Sequence, residues 1–297
     1  MSGLTAFADE VGVDGPVVAV GGRTQFDVGG TVDAAAREVR APAGIVEHVP
    51  AEMTVRVRAG TTVTELDDEL SAYGQCVALP NQEGATVGGV LAVGHSGLRR
   101  LGWGPVRDTV LEVRYVSAEG RVIKGGGPTV KNVSGYDLPR LFVGSLGTLG
   151  LIGEVVLRTR PVPAFESWFA RDGGDPFDLA RSLYRVTSVL WDGQTTWALL
   201  EGHAADVDAQ ARRAGLQPIE PSARRALPPH RWSLAPSALR ALPDDGHGAF
   251  VAEVGVGVAH RTVEQPARSV DPVITALTAR VKQAFDPTGR LAPGRLA

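Results

Sequence analysis

The chain has 297 residues, a hydrophobic share of 43%, a charged share of 21% and a formal net charge of −3. That is the makeup of an ordinary globular protein, long enough for one large or two medium domains, and it carries no excess of positive charge for a nucleic-acid partner. With Cys76 as its single cysteine, the chain alone can build no internal disulfide, iron–sulfur cluster or thiolate zinc site.

The first residues, "MSGLTAFADEVGVDG", lack the basic stretch and continuous apolar run of a secretory signal. No later run reaches the ~18 apolar residues of a membrane span. A cytoplasmic protein is expected, with any membrane association made through partners. Val17 to Val20 reads as a buried strand running into Gly21-Gly22. In "MTVRVRAG", Val55, Val57 and Ala59 alternate with Arg56 and Arg58, the pattern of a half-buried strand. Thr62, with Glu65 three residues on, has the spacing of a capping box, and Val63, Leu66 and Leu70 form one helix face before Gly74. "QCVALPNQEGATVGGVLAVGHSG" shows no clean period. "DTVLEVRYVSAEGRVIKGG" predicts two strands joined at Glu119-Gly120, followed by a short helix over 137–142 and a long strand in "LGLIGEVVLRTRPVP".

From about residue 164 the pattern becomes strand, helix, hairpin (Trp191 to Trp197) and helix, which fits a small α+β sandwich. Residues 221–245 are rich in Pro, Ser and Arg and read as a loop or crossing segment. A strand in "GAFVAEVGVGVAH" and a helix in "DPVITALTARVKQAF" close the chain.

Glycine is the outlier: 37 residues, about 12% against a usual ~7%. The glycines cluster at 21–30, 84–104, 125–127 and 144–153, which suggests a shared site. Gly21-Gly22 after a strand can expose consecutive N–H groups as a nest for phosphate oxygens, or can be a plain turn. It is not a G-x-G-x-x-G fingerprint, and neither a Walker-type loop nor a G-x-S-x-G elbow occurs. The small residues around Thr86, His95 and Ser96 would let backbone approach a flat ring closely; taken alone, they read first as tight strand-to-strand packing. His95 has no Asp, Cys or second His in register, and the remaining histidines lack metal-ligand spacing. Cys76 reads as a buried structural thiol, and the run Asp67-Asp68-Glu69 as a solvated helix face.

Taken in order, five segments resemble the FAD-binding domain of the vanillyl-alcohol oxidase / p-cresol methylhydroxylase family and, within it, the smaller flavoprotein chains of bacterial glycolate oxidases. They are "VGGRTQ", "VRVRAGTTVTELDDELSAYG", "ATVGGVLAVGHSG", "WGPVRDTVLEVRYVSAEGRV" and "KNVSGYDLPRLFVGSLGTLGLIG". The likeness returns in "FDPTGRLAPGR", where Ala292 replaces a common asparagine. The resemblance implies an α+β fold: a two-subdomain FAD-binding domain over 1–163, a small α+β cap over 164–245, and a segment over 246–297 returning to both.

The resemblance also implies a set of cofactor contacts: Gly21, Gly22, Arg23, Thr24 and Gln25 in the first turn; Pro80, Gly84, Ala85, Thr86, Gly88, Gly89, Gly94, Ser96 and Gly97 in the second stretch; Arg107 and Asp108; and Gly147, Gly150 and Ile152, with Gly150 carrying bare backbone past the cofactor. Arg23 and Thr24 stand where some relatives place a flavin-linked histidine, so non-covalent FAD is expected. No catalytic base and no metal ligand carry over. Arg231 and Ser233, in "RWSLAP", are the candidate substrate groups, since arginine suits a carboxylate. The expected function is an FAD-dependent oxidoreductase, or a subunit of one, acting on a small 2-hydroxy acid such as glycolate. Its expected partners are a larger flavoprotein and an iron–sulfur subunit. The alternative is a non-catalytic FAD-binding subunit for assembly or electron relay.

Overall fold

A computed structural model describes residues 3–127, 137–267 and 270–295. The "KNVSGY" part of the fifth segment lies outside them. The chain divides into two compact units, 1–97 with 105–162 and 270–297, and 98–104 with 163–269. Residues 246–269 stay with the second unit, and the short stretch 98–104 joins it.

The first unit is built on a five-stranded antiparallel sheet in the order Ile45–Val49, Thr54–Arg58, Leu151–Arg158, Val110–Val116, Val122–Gly126. Strand alternation puts Val55, Val57, Val113 and Val155 on one face, where they join the largest apolar core with Leu66, Leu70, Val87 and Leu91 from two helices. The helix Val63–Ser71 starts on the expected capping box: Glu65 N donates to Thr62 Oγ1, and Thr62 N to the Glu65 carboxylate.

The opposite face carries a charge lattice. Glu112 is fully buried and pairs with Arg56 (2.8 Å), Arg114 (3.0 Å) and Lys124 (3.1 Å), while Glu154 also pairs with Arg56 and Arg114. Burial works against the Glu112 charge, but the hydrogen bonds from Arg56 and Lys124 prevail and hold its pKa below the usual 4.5.

A second layer of this unit is the parallel pair Val17–Ala19 and Arg37–Val39, with Val17 bridged in parallel to Leu291 from the chain's end. Arg290 beside it is buried, and all five of its N–H donors are spent on backbone: Nε to Gly15 O, Nη1 to Gly12 O and Ala118 O, Nη2 to Val11 O and Asp14 O. Asp286, equally buried, accepts from Arg290 N and Leu291 N and from Lys282 Nζ. Arg290 thus fastens the final segment to the end of the helix Gly3–Val11 and the turn after it, while Asp286 ties the segment's own turn together.

Three expectations for this unit change. The unpatterned stretch after residue 84 contains a helix, Val87–Val93, whose Thr86 Oγ1 accepts from Gly89 N. Its small residues hide the helical period because one face lies on Ala59: a Cβ on Gly88 would come 2.7 Å from the Ala59 Cβ and 3.0 Å from its carbonyl oxygen. Cys76 is only half-buried, on a two-residue strand paired with Arg160–Pro161. Asp67 is not simply solvated either: burial raises its pKa, opposed by a hydrogen bond from Asn81.

The second unit is a seven-stranded antiparallel sheet in the order Gln217–Ile219, Phe165–Asp172, Thr195–Gly202, Ser188–Trp191, Phe250–Glu253, Val258–Arg261, His230–Ser233. One face holds the apolar core, with Trp191, Ala198, Phe250 and Trp232 under the helices Pro176–Ser182 and Ala204–Arg213 and the 3-10 stretch Pro236–Asp244. The expected single strand near residue 250 is a hairpin, bent at Gly255 and Gly257, both with φ above +80°. The segment 221–245, expected as a loop, supplies an edge strand and that 3-10 stretch. Arg99, in the stretch 98–104, pairs with Glu166 (2.7 Å) and Glu201, and Trp103 Nε1 donates to Glu201 (2.8 Å).

Candidate cofactor site

The first unit holds an open cleft. Its walls come from the turn after Val17–Ala19, the bend at Ala59-Gly60, the helix Val87–Val93, and the turn and strand at 146–152. Bare backbone makes these segments fit together. A Cβ on Gly22 would overlap the Gly84 carbonyl, one on Gly21 would overlap Thr86 Oγ1, and one on Gly60 would overlap the Ala41 carbonyl.

Of the residues expected at the cofactor, Gly21, Gly22, Arg23, Thr24 and Gln25 line the cleft, as do Thr86, Gly88, Gly89, Gly147 and Ile152. Others do not line it but build its frame. Gly84 supplies the carbonyl that Gly22 abuts, and Ala85 O accepts from Val63 N. Gly94 ends the helix Val87–Val93 with φ +73° against the Gly144 backbone. Gly97 packs on Pro80, and Ser96 Oγ accepts from Val106 N. Arg107 lies in a 3-10 turn with Asp108, which pairs with Arg140 at 3.0 Å.

Gly150 is placed differently from the expectation. Its missing side chain faces the rings of Tyr115 and Phe142, so core packing requires that glycine. Gly153 likewise faces Leu4, and Gly144 is a turn with φ +88°. Of the four regularly spaced glycines, Gly147 is the one on the cleft.

Several lining residues were missed by sequence reasoning: Phe26, Val90, Val93, Leu146, Leu151 and Arg295. Arg295 ends the "LAPGR" of the family pattern, which was the available signal. Its guanidinium lies 4.5 Å from the Phe26 ring centre and donates to Phe26 O and Leu146 O; Nε is buried and meets no partner among the described residues. Burial lowers its pKa, and Asp27 acts against that. Arg23 covers the Phe26 ring at 4.7 Å and pairs with Glu38. Arg23 and Leu146 both hold left-handed backbone, φ +57° and +54°, and strain of this kind gathers where a ligand is clamped.

The lining has two arginines and no carboxylate, bare peptide groups on one side, and Val90, Val93, Leu151 and Ile152 on another. That combination suits a molecule with an anionic middle and a flat apolar ring, which is the makeup of FAD. Bound here, FAD would lie against Gly21, Gly22 and Arg23 and would supply a two-electron acceptor for hydride.

Among the described residues no three His, Cys, Asp or Glu side chains gather as a metal site, and no helix is long and apolar enough to cross a membrane. Arg231 and Ser233 lie on the edge strand of the second unit's sheet. Arg231 is directly opposite His260, and the Ser233 backbone is bonded to the Gln265 amide.

Residues 6–126 match the family model described as the FAD binding domain, and residues 245–296 match the C-terminal domain of FAD linked oxidases. The chain is 38% identical over 151 residues to glycolate oxidase subunit GlcE of Escherichia coli, across 50% of this chain and 43% of that one. It is also 38% identical over 164 residues to D-lactate dehydrogenase of Archaeoglobus fulgidus, across 54% of this chain and 36% of the relative. These matches therefore span less than half of either relative. In fold, it resembles alkyldihydroxyacetonephosphate synthase over 98% of this chain and 73% of that one, with TM-score 0.69 at 15% identity. Berberine bridge enzyme is similar over 71% of this chain and 47% of its own, with TM-score 0.52. In order along the chain, a match to an FAD binding domain is thus followed by a match to the C-terminal domain of FAD linked oxidases.

Proposed function

We propose that the chain is an FAD-dependent oxidoreductase, or the FAD-carrying subunit of one, that oxidises the CH–OH group of a small 2-hydroxy acid such as glycolate. The observation that carries this reading is the cleft of glycines and two arginines, set in a chain similar to a glycolate oxidase subunit and to a D-lactate dehydrogenase. Non-covalent cofactor binding is part of the proposal. Among the described residues that line the cleft there is no His, Cys or Tyr, and Arg23 and Thr24 follow the glycines.

The residues' roles follow from their chemistry. Peptide N–H groups around Gly21-Gly22 and the charge of Arg23 and Arg295 would hold the diphosphate. Val90, Val93 and Ile152 would keep water from the ring side. The overall reaction removes a hydride from the substrate carbon and a proton from its hydroxyl.

Electrons would leave to a partner or a diffusible acceptor, because one cysteine cannot hold an iron–sulfur cluster. A hetero-oligomer with a larger flavoprotein and an iron–sulfur subunit fits this need, and a similar chain of Bacillus subtilis is glycolate oxidase subunit GlcD, 46% identical over 79 residues.

Anaerobic addition of glycolate or D-lactate to purified protein, followed by its flavin spectrum, tests the reading. Bleaching by the chain alone supports an enzyme. Bleaching only with partner chains identifies an FAD-binding subunit for assembly or relay. A colourless protein that takes up no FAD overturns both.

A further inference from the structure

The strand Arg37–Val39 carries a carboxylate that neither the core nor the cleft accounts for. Glu38 pairs with Val18 in the parallel register, on the strand that runs into Gly21-Gly22. It does not line the cleft. It lines a second hollow together with Phe26 and Asp27, and Phe26 lines both. Arg23 bridges the two: it lines the cleft, its guanidinium covers the Phe26 ring at 4.7 Å, and its Nη2 donates to Glu38 Oε1.

The two cleft arginines are engaged differently. Arg295 gives its hydrogen bonds to the carbonyls of Phe26 and Leu146, whereas Arg23 is engaged by a carboxylate. The backbone beside Arg23 is unengaged: among the described residues, the N–H groups of Gly21 to Gln25 meet no hydrogen-bond partner. The Arg23 and Glu38 side chains are 45% and 48% exposed. An ion pair so open to water contributes little and yields to a better partner, and a diphosphate, with several charged oxygens in one group, is such a partner. Arg40 keeps Glu38 from being stranded by the exchange. Its Nη1 donates to Gly21 O at 3.2 Å. The Arg23 hydrogen bond, then the charges of Arg23 and Arg40, hold the Glu38 carboxyl below its usual 4.5, with burial opposing them.

We propose that Glu38 competes with the cofactor for Arg23: it holds the guanidinium while the cleft is empty, and the diphosphate of a bound dinucleotide takes that guanidinium from it. Arg40 then stands as the positive charge left beside Glu38. The competition sets cofactor affinity lower than the two arginines alone would give, so the cofactor is held exchangeably. The identity of the dinucleotide rests on the FAD reading above. The competition rests on the Arg23–Glu38 pair and on the open N–H groups next to it. Sequence spacing did not single out Glu38, which lies 15 residues from its partner.

Titration of the purified, flavin-stripped protein tests this with three probes: FAD and riboflavin by flavin fluorescence, and ADP by calorimetry. ADP has the diphosphate without the flavin, and riboflavin has the flavin without the diphosphate. Glu38→Gln removes the carboxylate charge and keeps the side chain's size. It should bind FAD and ADP about threefold more tightly than wild type, the scale of an exposed ion pair, and riboflavin no differently. Arg23→Met should weaken FAD and ADP, and in that background Glu38→Gln should gain nothing.

Unchanged or weaker binding of FAD and ADP by Glu38→Gln overturns the competition. A gain that persists in Arg23→Met overturns it too, because Glu38 would then act on the ligand by its charge alone and not through Arg23. The same titrations separate this from the cofactor reading. A protein that takes FAD equally well with and without the Glu38 charge loses the competition alone. One that takes no flavin, yet binds ADP more tightly as Glu38→Gln, loses the cofactor alone. One that binds neither FAD nor ADP loses both.

Discussion

Gly150 lies edge-on to Tyr115: a Cβ built on it would stand 2.5 Å from the ring's Cδ2 and 2.9 Å from Cε1 of Phe142. The two rings are themselves packed at 4.1 Å between centres, so neither can give way cheaply. Gly150→Ala should cost about 1–3 kcal/mol of stability, the range for overpacking a filled core. Thermal melting should show the loss. The ratio of flavin to folded protein should stay that of wild type, and a fall in that ratio at unchanged melting temperature would return the residue to the cofactor.

Arg295 brings one of the cleft's two positive charges. Arg295→Met keeps most of the packing over Phe26 and removes the charge, so FAD should bind about tenfold more weakly, ~1.4 kcal/mol. Quenching of flavin fluorescence on titration into flavin-stripped protein measures this directly. An unchanged dissociation constant would show that Arg295 only secures the Phe26 turn.

The lattice around Glu112 makes a pH prediction. Glu112 and Asp286 have pKa values held below their ordinary 4.5 and 3.8, burial acting against ionisation and the hydrogen bonds they accept outweighing it. A carboxyl depressed on folding stabilises the folded state above its unfolded pKa, and that contribution is lost as pH falls through the folded value. Stability measured by urea unfolding should therefore hold from neutrality down to about pH 5 and decline below it. Glu112→Gln should flatten that decline. It should also cost roughly 3 kcal/mol at neutral pH, because Arg56, Arg114 and Lys124 lose a shared partner at a buried position.

Arg290 satisfies five carbonyls at once. Lysine has three donors on one atom, so Arg290→Lys leaves at least two of the five without their bond. At about 1–3 kcal/mol for each buried group left unsatisfied, the expected loss is several kcal/mol. Urea unfolding would register it, and a loss under about 1 kcal/mol would mean that water replaces the guanidinium.

The strands and capped helices were legible because their signals are local: Val55, Val57 and Ala59 alternate, and Thr62 with Glu65 announces a helix start. The helix Val87–Val93 was hidden because Gly88 lies against Ala59, and a glycine that meets backbone erases the apolar period. The first turn of the site, Gly21 to Gln25, could be read from a strand ending in glycines and from the family pattern. The family pattern set Gly150 at the cofactor, but a place in a motif says nothing about which surface the glycine's missing side chain meets. Arg295 and Phe26 come together from opposite ends of the sequence, and only tertiary structure makes them neighbours.

That distance along the chain has a consequence for biosynthesis. The turn at residues 11–15 points its carbonyls at a guanidinium that emerges from the ribosome some 275 residues later, and the Val17 strand likewise waits for Leu291. Loading of a nucleotide cofactor should thus be post-translational, and a chain stalled before residue 290 should emerge without a finished wall to its cradle.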